Sequence, residues 1–335
     1  MYYRDPILIM AVGGGGDIVA GAMLASRLER DGYRVYVSCF PWERFIIDPL
    51  PGPIPLKNIY NYKSRGGYFR IIDHNSYALR DGSKVVFQAV NVSRALMKDI
   101  IIFDLSGGAE SLYKGISEVV SRYNIEMVIG LDVGGDILAY GGEDELWSPL
   151  ADQLSLAALY RVTYSILNNT YIAVAGLGGD GELSLDTLRN RINALKNTNG
   201  YFNIELDKHD KEILGIILKH AYTEASRSIY HSLDGYIGVM RIRYGTRIVY
   251  IDRDQSITHF IPCTKIYKLS RMARRLLYTR SIEEANMTLL NMGYPTEYEL
   301  EKTLYKYISL GYNVSPRLIT RSRNEVKNRV AKLII

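Results

Sequence analysis

The sequence predicts an α/β protein with a Rossmann-like, mostly parallel sheet, helices on both faces and a smaller α+β C-terminal portion. Three observations carry this. Apolar runs of strand length alternate with stretches of helical spacing through residues 1–200. Four of those runs end in a glycine pair beside an acid. Charge also changes sign along the chain: residues 201–335 hold 22 Lys+Arg against 14 Asp+Glu, a net of +8, whereas residues 1–200 hold 19 against 22, a net of −3. The polar stretch Lys196-Asn197-Thr198-Asn199 marks the boundary. Residues 1–200 then form a glycine-rich, ligand-binding core, and residues 201–335 a basic, mainly helical portion with a β-hairpin, packed on the core.

Pro6–Val12 is a continuous apolar run stopped by glycines, as expected of a strand buried on both faces. Residues 17–30 carry Ile18, Ala22, Ala25 and Leu28 near helical spacing, and Asp31-Gly32 ends that helix. Tyr33–Phe40 reads as the second strand. Five prolines between Pro41 and Pro55 forbid regular structure and give a stiff, extended connection. The stretch around Tyr68–Lys84 reads as irregular. Strands follow at 99–104, 125–131 and 170–175, with helical patterns before the last two. In the last third, Asp207 caps a helix expected to run to about Leu233 and to stop at Gly235. Residues 236–243 and 246–252 read as a hairpin around Tyr244-Gly245, and helices are expected at 281–291, 296–310 and 323–333.

Composition excludes several classes. With 335 residues, 47% hydrophobic and 23% charged, the chain folds rather than remaining disordered. No apolar run approaches the roughly 20 residues of a membrane span, and no secretory signal is visible. Cys39 and Cys263, far apart in sequence, support neither a disulfide framework nor a cysteine zinc site, and a cytoplasmic location is expected. Three Gln and two Cys among plentiful charge lean towards a thermophile. The basic excess reads as a solvated face, so nucleic acid is not expected as a partner. A homo-oligomer is left open.

The four glycine pairs are Gly13-Gly14-Gly15-Gly16-Asp17, Ser106-Gly107-Gly108-Ala109-Glu110, Asp132-Val133-Gly134-Gly135-Asp136 and Gly178-Gly179-Asp180. Strands of one sense end on one edge of a parallel sheet, so these loops are expected along a single rim. Glycine lets a ligand approach backbone amides, and helix N-termini beyond the turns favour anions. The expected site therefore comprises Gly14, Gly15, Gly16, Asp17, Ser106, Gly107, Gly108, Glu110, Asp132, Gly134, Gly135, Asp136, Gly178, Gly179 and Asp180. Asp17 and Glu110 also suit simple helix starts. Crowded carboxylates on an anion-binding rim repel unless a cation or a sugar hydroxyl intervenes. A phosphate-bearing ligand, a nucleotide or dinucleotide among them, held with Mg²⁺ at Asp132 and Asp136, reconciles the two features.

Other fingerprints are absent or incomplete. No G-x-x-x-x-G-K-[ST] loop, complete G-x-G-x-x-G, zinc-binding histidine spacing or G-x-S-x-G elbow occurs. The Ser106–Ser111 loop resembles the S-G-G-x-D-S loop of ATP-pyrophosphatase enzymes, with Glu110 for Asp, but it follows a later strand than in that family. Residues 141–147, ending in Trp147, read either as an acidic loop able to close over a ligand or as a plain surface loop. In the basic third, Arg241 and Arg243 are expected on one strand face, and Arg271, Arg274 and Arg275 on one helical face. They read as surface or inter-domain charge in preference to phosphate ligands. The alternative to an enzyme is a non-catalytic sensor or interaction protein.

The segments Val12–Asp17, Leu131–Asp136 and Ser148-Pro149-Leu150-Ala151-Asp152, with Trp42-Glu43-Arg44 and Asp48-Pro49, occur in order. Together they resemble the prokaryotic, largely archaeal family catalogued as domain of unknown function 1152. The resemblance spans most of the chain. It implies a family without an assigned reaction, so the functional argument rests on the glycine rim.

Overall fold

The computed structural model describes residues 4–43, 47–243 and 245–333. Arg44 of the Trp42-Glu43-Arg44 segment, Tyr244 of the expected hairpin turn and the first three residues lie outside the described residues. The fold is the expected α/β class, organised on a nine-stranded sheet. Its centre is five parallel strands in the order 170–175, 127–133, 4–11, 33–39, 100–103. Strand Arg4–Ala11 alternates its side chains between the two faces. Leu8, Met10 and Val12 enter one apolar core, while Ile7, Ile9 and Ala11 enter the other. Helices Gly108–Tyr123 and Pro149–Ser165 cover the first face, and helices Asp17–Arg30 and Gln88–Leu96 the second. Helix Pro149–Ser165 is apolar nearly all round because further helices, Cys263–Leu269, Arg271–Leu276 and Ile282–Asn291, bury its outer side.

The flanks differ from expectation. Phe69–Ile72 and Ser64–Arg65 extend the sheet antiparallel beyond Ile100–Phe103, and Tyr77–Arg80 pairs with Ser83–Val85. Asp81-Gly82 joins that hairpin with φ of +46° and +74°, the mirror-image turn that Asp-Gly favours. So the stretch read as irregular is a set of strands too short to show a period. On the other edge, Ile257–Pro262 joins the same sheet antiparallel to Thr170–Ala175, and Phe202–Glu205 pairs antiparallel with Ile257–Pro262 beyond it. The single helix expected from Asp207 is broken into Lys208–Leu218 and Ala225–Leu233, and residues 222–224 of the break face a cavity. The hairpin is present as Gly238–Ile242 and Arg247–Ile251, and the last helices run over Glu297–Ser309 and Pro316–Leu333. No helix among the described residues is long and apolar enough to cross a membrane.

The chain order creates one crevice. From strand 4–11 it proceeds outward through 33–39 to 100–103, then returns to lay 127–133 and 170–175 on the opposite side of 4–11. Strands 4–11 and 127–133 are thus neighbours whose following segments part in opposite directions, the usual place for a ligand in an open α/β sheet.

Candidate functional site

A cavity of about 580 Å³ opens at that crevice. Its floor is the turn after strand 4–11 (Gly13, Gly15, Gly16, Asp17), the end of strand 127–133 (Asp132, Val133, Asp136) and Asp180 with Glu182. Its roof comes from the C-terminal portion: Leu300 and Leu304 of helix 297–309, Val314, Ile319 and Arg323, with Ile242, Arg243 and Arg247 from the hairpin. Trp147, from the acidic loop, also faces it. Arg323 lies over the Trp147 ring at 5.4 Å, which anchors that loop under the last helix.

Three of the four glycine loops reach this site. The fourth does not. Ser106 O accepts the Ile282 amide at 2.9 Å, the Glu110 amide donates to Thr279 O at 3.0 Å, and a Cβ on Gly108 would lie 2.7 Å from Thr279 O. The loop of Ser106, Gly107, Gly108 and Glu110 is a docking surface for segment 279–282. Glu110 itself pairs with Arg161 at 2.7 Å, and that guanidinium holds its carboxyl below the usual range.

Within the other three loops, four of the seven glycine amides expected to face a ligand are engaged, as is that of Gly13. Gly13 N donates to Asp17 Oδ2 (3.0 Å), Gly15 N to Trp42 O (2.9 Å), Gly134 N to Ala175 O (3.0 Å), Gly178 N to Gly134 O (2.6 Å) and Gly179 N to Gly176 O (2.8 Å). Gly14, Gly134, Gly135, Gly178 and Gly179 shape the turns below the cavity wall. The missing side chains make room for acids instead of phosphate. A Cβ on Gly13 would lie 2.5 Å from Asp17 Oδ2 and 3.1 Å from Asp152 Oδ1, one on Gly15 would lie 2.8 Å from Glu43 Oε1, and one on Gly134 would lie 2.2 Å from Asp180 Cγ.

The helix N-termini are treated the same way. Glu43 Oε1 accepts the Gln88 amide at 2.9 Å at the start of helix 88–96. Glu297 accepts the Leu150 and Ala151 amides at 3.0 and 2.7 Å at the start of helix 149–165. Glu182 accepts Trp147 N at 2.6 Å and Ser148 Oγ at 2.7 Å, and pairs with the buried Arg247 at 2.5 Å. Places that would have drawn an anionic ligand are filled by the protein's own carboxylates. Glu43, Asp152, Glu182, Glu297 and Arg247 were not singled out from sequence as site residues. Asp152 did stand in the Ser148–Asp152 segment, and Glu182 follows Asp180 by two.

Among the described residues, nine carboxylates line the cavity against three guanidiniums. Burial, then the charges of Asp17 and Asp180, raises Asp132 well above the usual carboxylate range. Burial, then Asp152 and Asp132, does the same to Asp136, and burial, then Asp132 and Asp17, to Asp152. Asp180 is pushed up to about 6 by burial and by Glu182. Burial would also raise Glu182, but Arg247 overrides it and holds that carboxyl at about 2. One oxygen from each of Asp17, Asp132 and Asp152 lies within 4.8 Å of the other two. Asp136, paired with Asp132 in the sequence reading, is not in that converging set.

The arginines divide. Arg243 takes a left-handed conformation (φ +55°) just past strand 238–242 and faces the cavity, whereas Arg241 is exposed, so the two do not share a strand face. Arg271, Arg274 and Arg275 are exposed on helix 271–276.

No curated protein and no solved structure matches this chain. The family model described as "Protein of unknown function (DUF1152)" matches residues 8–305, which takes in the floor of the cavity and the first turns of its helical roof. The chain belongs to that family of unknown function.

Proposed function

We propose that this protein is an enzyme that binds a phosphate-bearing small molecule, a nucleotide among the candidates, in the cavity between strands 4–11 and 127–133, with Mg²⁺ between ligand and floor. The observation that supports this best is the excess of nine carboxylates over three guanidiniums around a cavity at the sheet's switch point. A bare phosphate is repelled by such a floor, and the amides of Gly15, Gly134, Gly178 and Gly179, which would help offset this, are already engaged. A ligand that brings a divalent cation turns the same carboxylates into its holders. Arg243 and Arg323 face the space above, where the remaining phosphate charge would lie. Apolar Leu300, Leu304, Val314 and Ile319 offer a surface for the rest of the molecule.

The ATP-pyrophosphatase-like alternative loses its main support, because the loop that suggested it is covered by segment 279–282, away from the cavity. A non-catalytic sensor is the second reading. It is favoured by the cavity wall, which among the described residues carries neither histidine nor cysteine to serve as a familiar base or nucleophile. A reducing, cytoplasmic setting belongs to the same proposal, since Cys39 and Cys263 are both buried and free. So does a thermophilic one, supported by the ion-pair network of Arg27 and Arg30 with Asp207 and Asp210.

Mass spectrometry of whatever small molecule copurifies, followed by a thermal-shift panel of nucleotides and sugar phosphates with and without Mg²⁺, tests the reading. A ligand at 100 times its Kd stabilises by about 2.7 kcal/mol, and that gain should require Mg²⁺. No response across the panel would remove the phosphate reading. An Asp136→Asn protein that keeps ligand affinity and loses turnover separates enzyme from sensor.

A further inference from the structure

We infer that Asp17, Asp132 and Asp152 hold one hard divalent cation of the Mg²⁺, Mn²⁺ or Ca²⁺ class. This deepens the proposal above and rests on its premise that the cavity is the ligand site, but it concerns the ion and can be tested without any organic ligand.

The three carboxylates arrive from three separate elements: the first residue of helix 17–30, the end of strand 127–133 and the first turn of helix 149–165. All three residues are buried, with relative exposures of 7%, 1% and 1%. Crowding like charges in a dry site is costly unless something positive stands between them. The nearby buried guanidinium does not serve, because Arg247 Nη1 is spent on Glu182 Oε1 and Asp180 O. Two oxygens, Asp132 Oδ1 and Asp152 Oδ1, are buried and have no hydrogen-bond partner. Orphaned acceptors of this kind are rare in folded proteins and ask for a partner.

Geometry points to where the partner lies. Asp17 Oδ2 accepts from Gly13 N at 3.0 Å and Val133 N at 3.4 Å, which fixes its carboxylate between the two strand ends. Asp17 Oδ2 and both Asp152 oxygens converge on the space that a Gly13 side chain would occupy. The three ligand oxygens lie within 4.8 Å of one another. Oxygens on opposite sides of an ion stand about 4.2 Å apart around Mg²⁺ and about 4.6–5.2 Å apart around Ca²⁺, so the set spans one ion. Donors are oxygen only, which selects hard cations over zinc or copper. Three carboxylates on a dication leave one negative charge and open positions towards the cavity, where water or phosphate oxygens complete the shell.

Chelator-stripped protein titrated with Mn²⁺, with free Mn²⁺ read by electron paramagnetic resonance and no organic ligand present, tests this. The wild type should take up one Mn²⁺ per chain, displaced by Mg²⁺ or Ca²⁺. Asp132→Asn and Asp152→Asn should each weaken uptake at least tenfold, while Glu110→Gln, outside the cavity, should leave it unchanged. No uptake at millimolar Mn²⁺, or undiminished uptake by Asp152→Asn, would overturn the assignment. Should the variants fail to fold, a Mn²⁺ anomalous peak in wild-type crystals decides: among the three carboxylates it supports the site, elsewhere it overturns it. Uptake without any response to phosphate compounds keeps the ion and removes only the phosphate reading.

Discussion

Glu297 caps a helix to which it does not belong: as the first residue of helix 297–309, it accepts the amide of Leu150, at the start of helix 149–165, at 3.0 Å. The Ala151 amide meets its other oxygen at 2.7 Å, and Asp152 is the next residue. The C-terminal portion thereby sets the pitch at which Asp152 is brought beside Asp17 and Asp132. Glu297→Ala strands two buried donors, each costing about 1–3 kcal/mol, so unfolding free energy should fall by at least that much. Glu297→Gln, which keeps an acceptor oxygen, should lose less. Urea denaturation of the two variants checks the order; equal losses would show that packing rather than capping carries the contact.

The buried pair of Arg247 and Glu182 behaves differently from a surface ion pair, since neither side chain reaches solvent appreciably. Arg247→Met leaves Glu182 charged and unpaired in the interior, and breaking such a pair from one side costs about 3–5 kcal/mol. Adding Glu182→Gln removes the stranded charge and should recover part of that loss. Calorimetry of the single and double variants measures the coupling. A double variant no better than Arg247→Met would mean that Glu182 matters chiefly through Trp147 N and Ser148 Oγ.

Gly134 and Gly82 both have positive φ, +124° and +74°, yet only the first has a neighbour in the way. Gly82→Ala meets nothing within 4 Å, so it should cost only the backbone penalty of about 1–2 kcal/mol. Gly134→Ala adds a collision with the Asp180 carboxyl and should cost more than Gly82→Ala by upwards of about 2 kcal/mol. It should also displace Asp180 from the cavity. Equal costs would indicate that Asp180 swings away freely.

The same glycines explain what was legible in the sequence. Buried parallel strands are continuous apolar runs, so strands 4–11, 100–103, 127–133 and 170–175 stand out, and their common polarity places the loops on one rim; strand 33–39, half-exposed in its first part, reads instead as a β-branched and aromatic stretch between turn signals. Short antiparallel strands such as Ser64–Arg65 and Phe202–Glu205 are held by their neighbours rather than by any period of their own, and they were not found. Asp81-Gly82 is itself a hairpin signal, but the flanking strands of four and three residues carry no alternation long enough to go with it. At the site, Asp17, Asp136 and Asp180 are legible because they adjoin glycines, and Asp132 because with Asp136 it brackets the Gly134-Gly135 pair. Glu43 and Glu297 come from segments 254 residues apart and meet the rim only through tertiary packing. A glycine that admits a carboxylate also looks, in sequence, like one that admits a phosphate.

Relief of repulsion gives a test that needs no ligand. Asp136 is 5% exposed and lies among Asp132, Asp152, Asp180 and Glu182, which with burial drive its carboxyl well above the usual range. Asp136→Asn replaces this titrating carboxyl, whose charged form is disfavoured in the folded state, with a neutral amide of the same shape. In chelator at neutral pH the variant should melt above the wild type, by about 1–2 °C if about 1 kcal/mol is regained. A lower melting temperature would show that Asp136 contributes more through its contacts than it costs through charge.

His259 supplies the pH dependence. Its ring is buried on strand 257–262, with Tyr201 Oη 2.8 Å from Nδ1, and burial followed by the charge of Lys196 lowers its pKa to about 4. In the unfolded chain the same imidazole titrates near about 6.5. Between those values the unfolded state holds a proton that the folded state refuses, so this group's effect is to remove stability as pH falls from about 6.5 towards 4. The full swing is on the order of 3 kcal/mol, at about 1.4 kcal/mol per pH unit. The buried carboxylates raised above their usual range act in the opposite sense, taking up protons in the folded state, so the wild-type profile alone would mix the two. Comparing wild type with His259→Gln separates them. Urea unfolding at pH 7 and at pH 4.5 should show the wild type losing roughly 2–3 kcal/mol more than the variant over that interval. Parallel profiles for the two proteins would mean that the imidazole is protonated in place, with Tyr201 turning to accept from it.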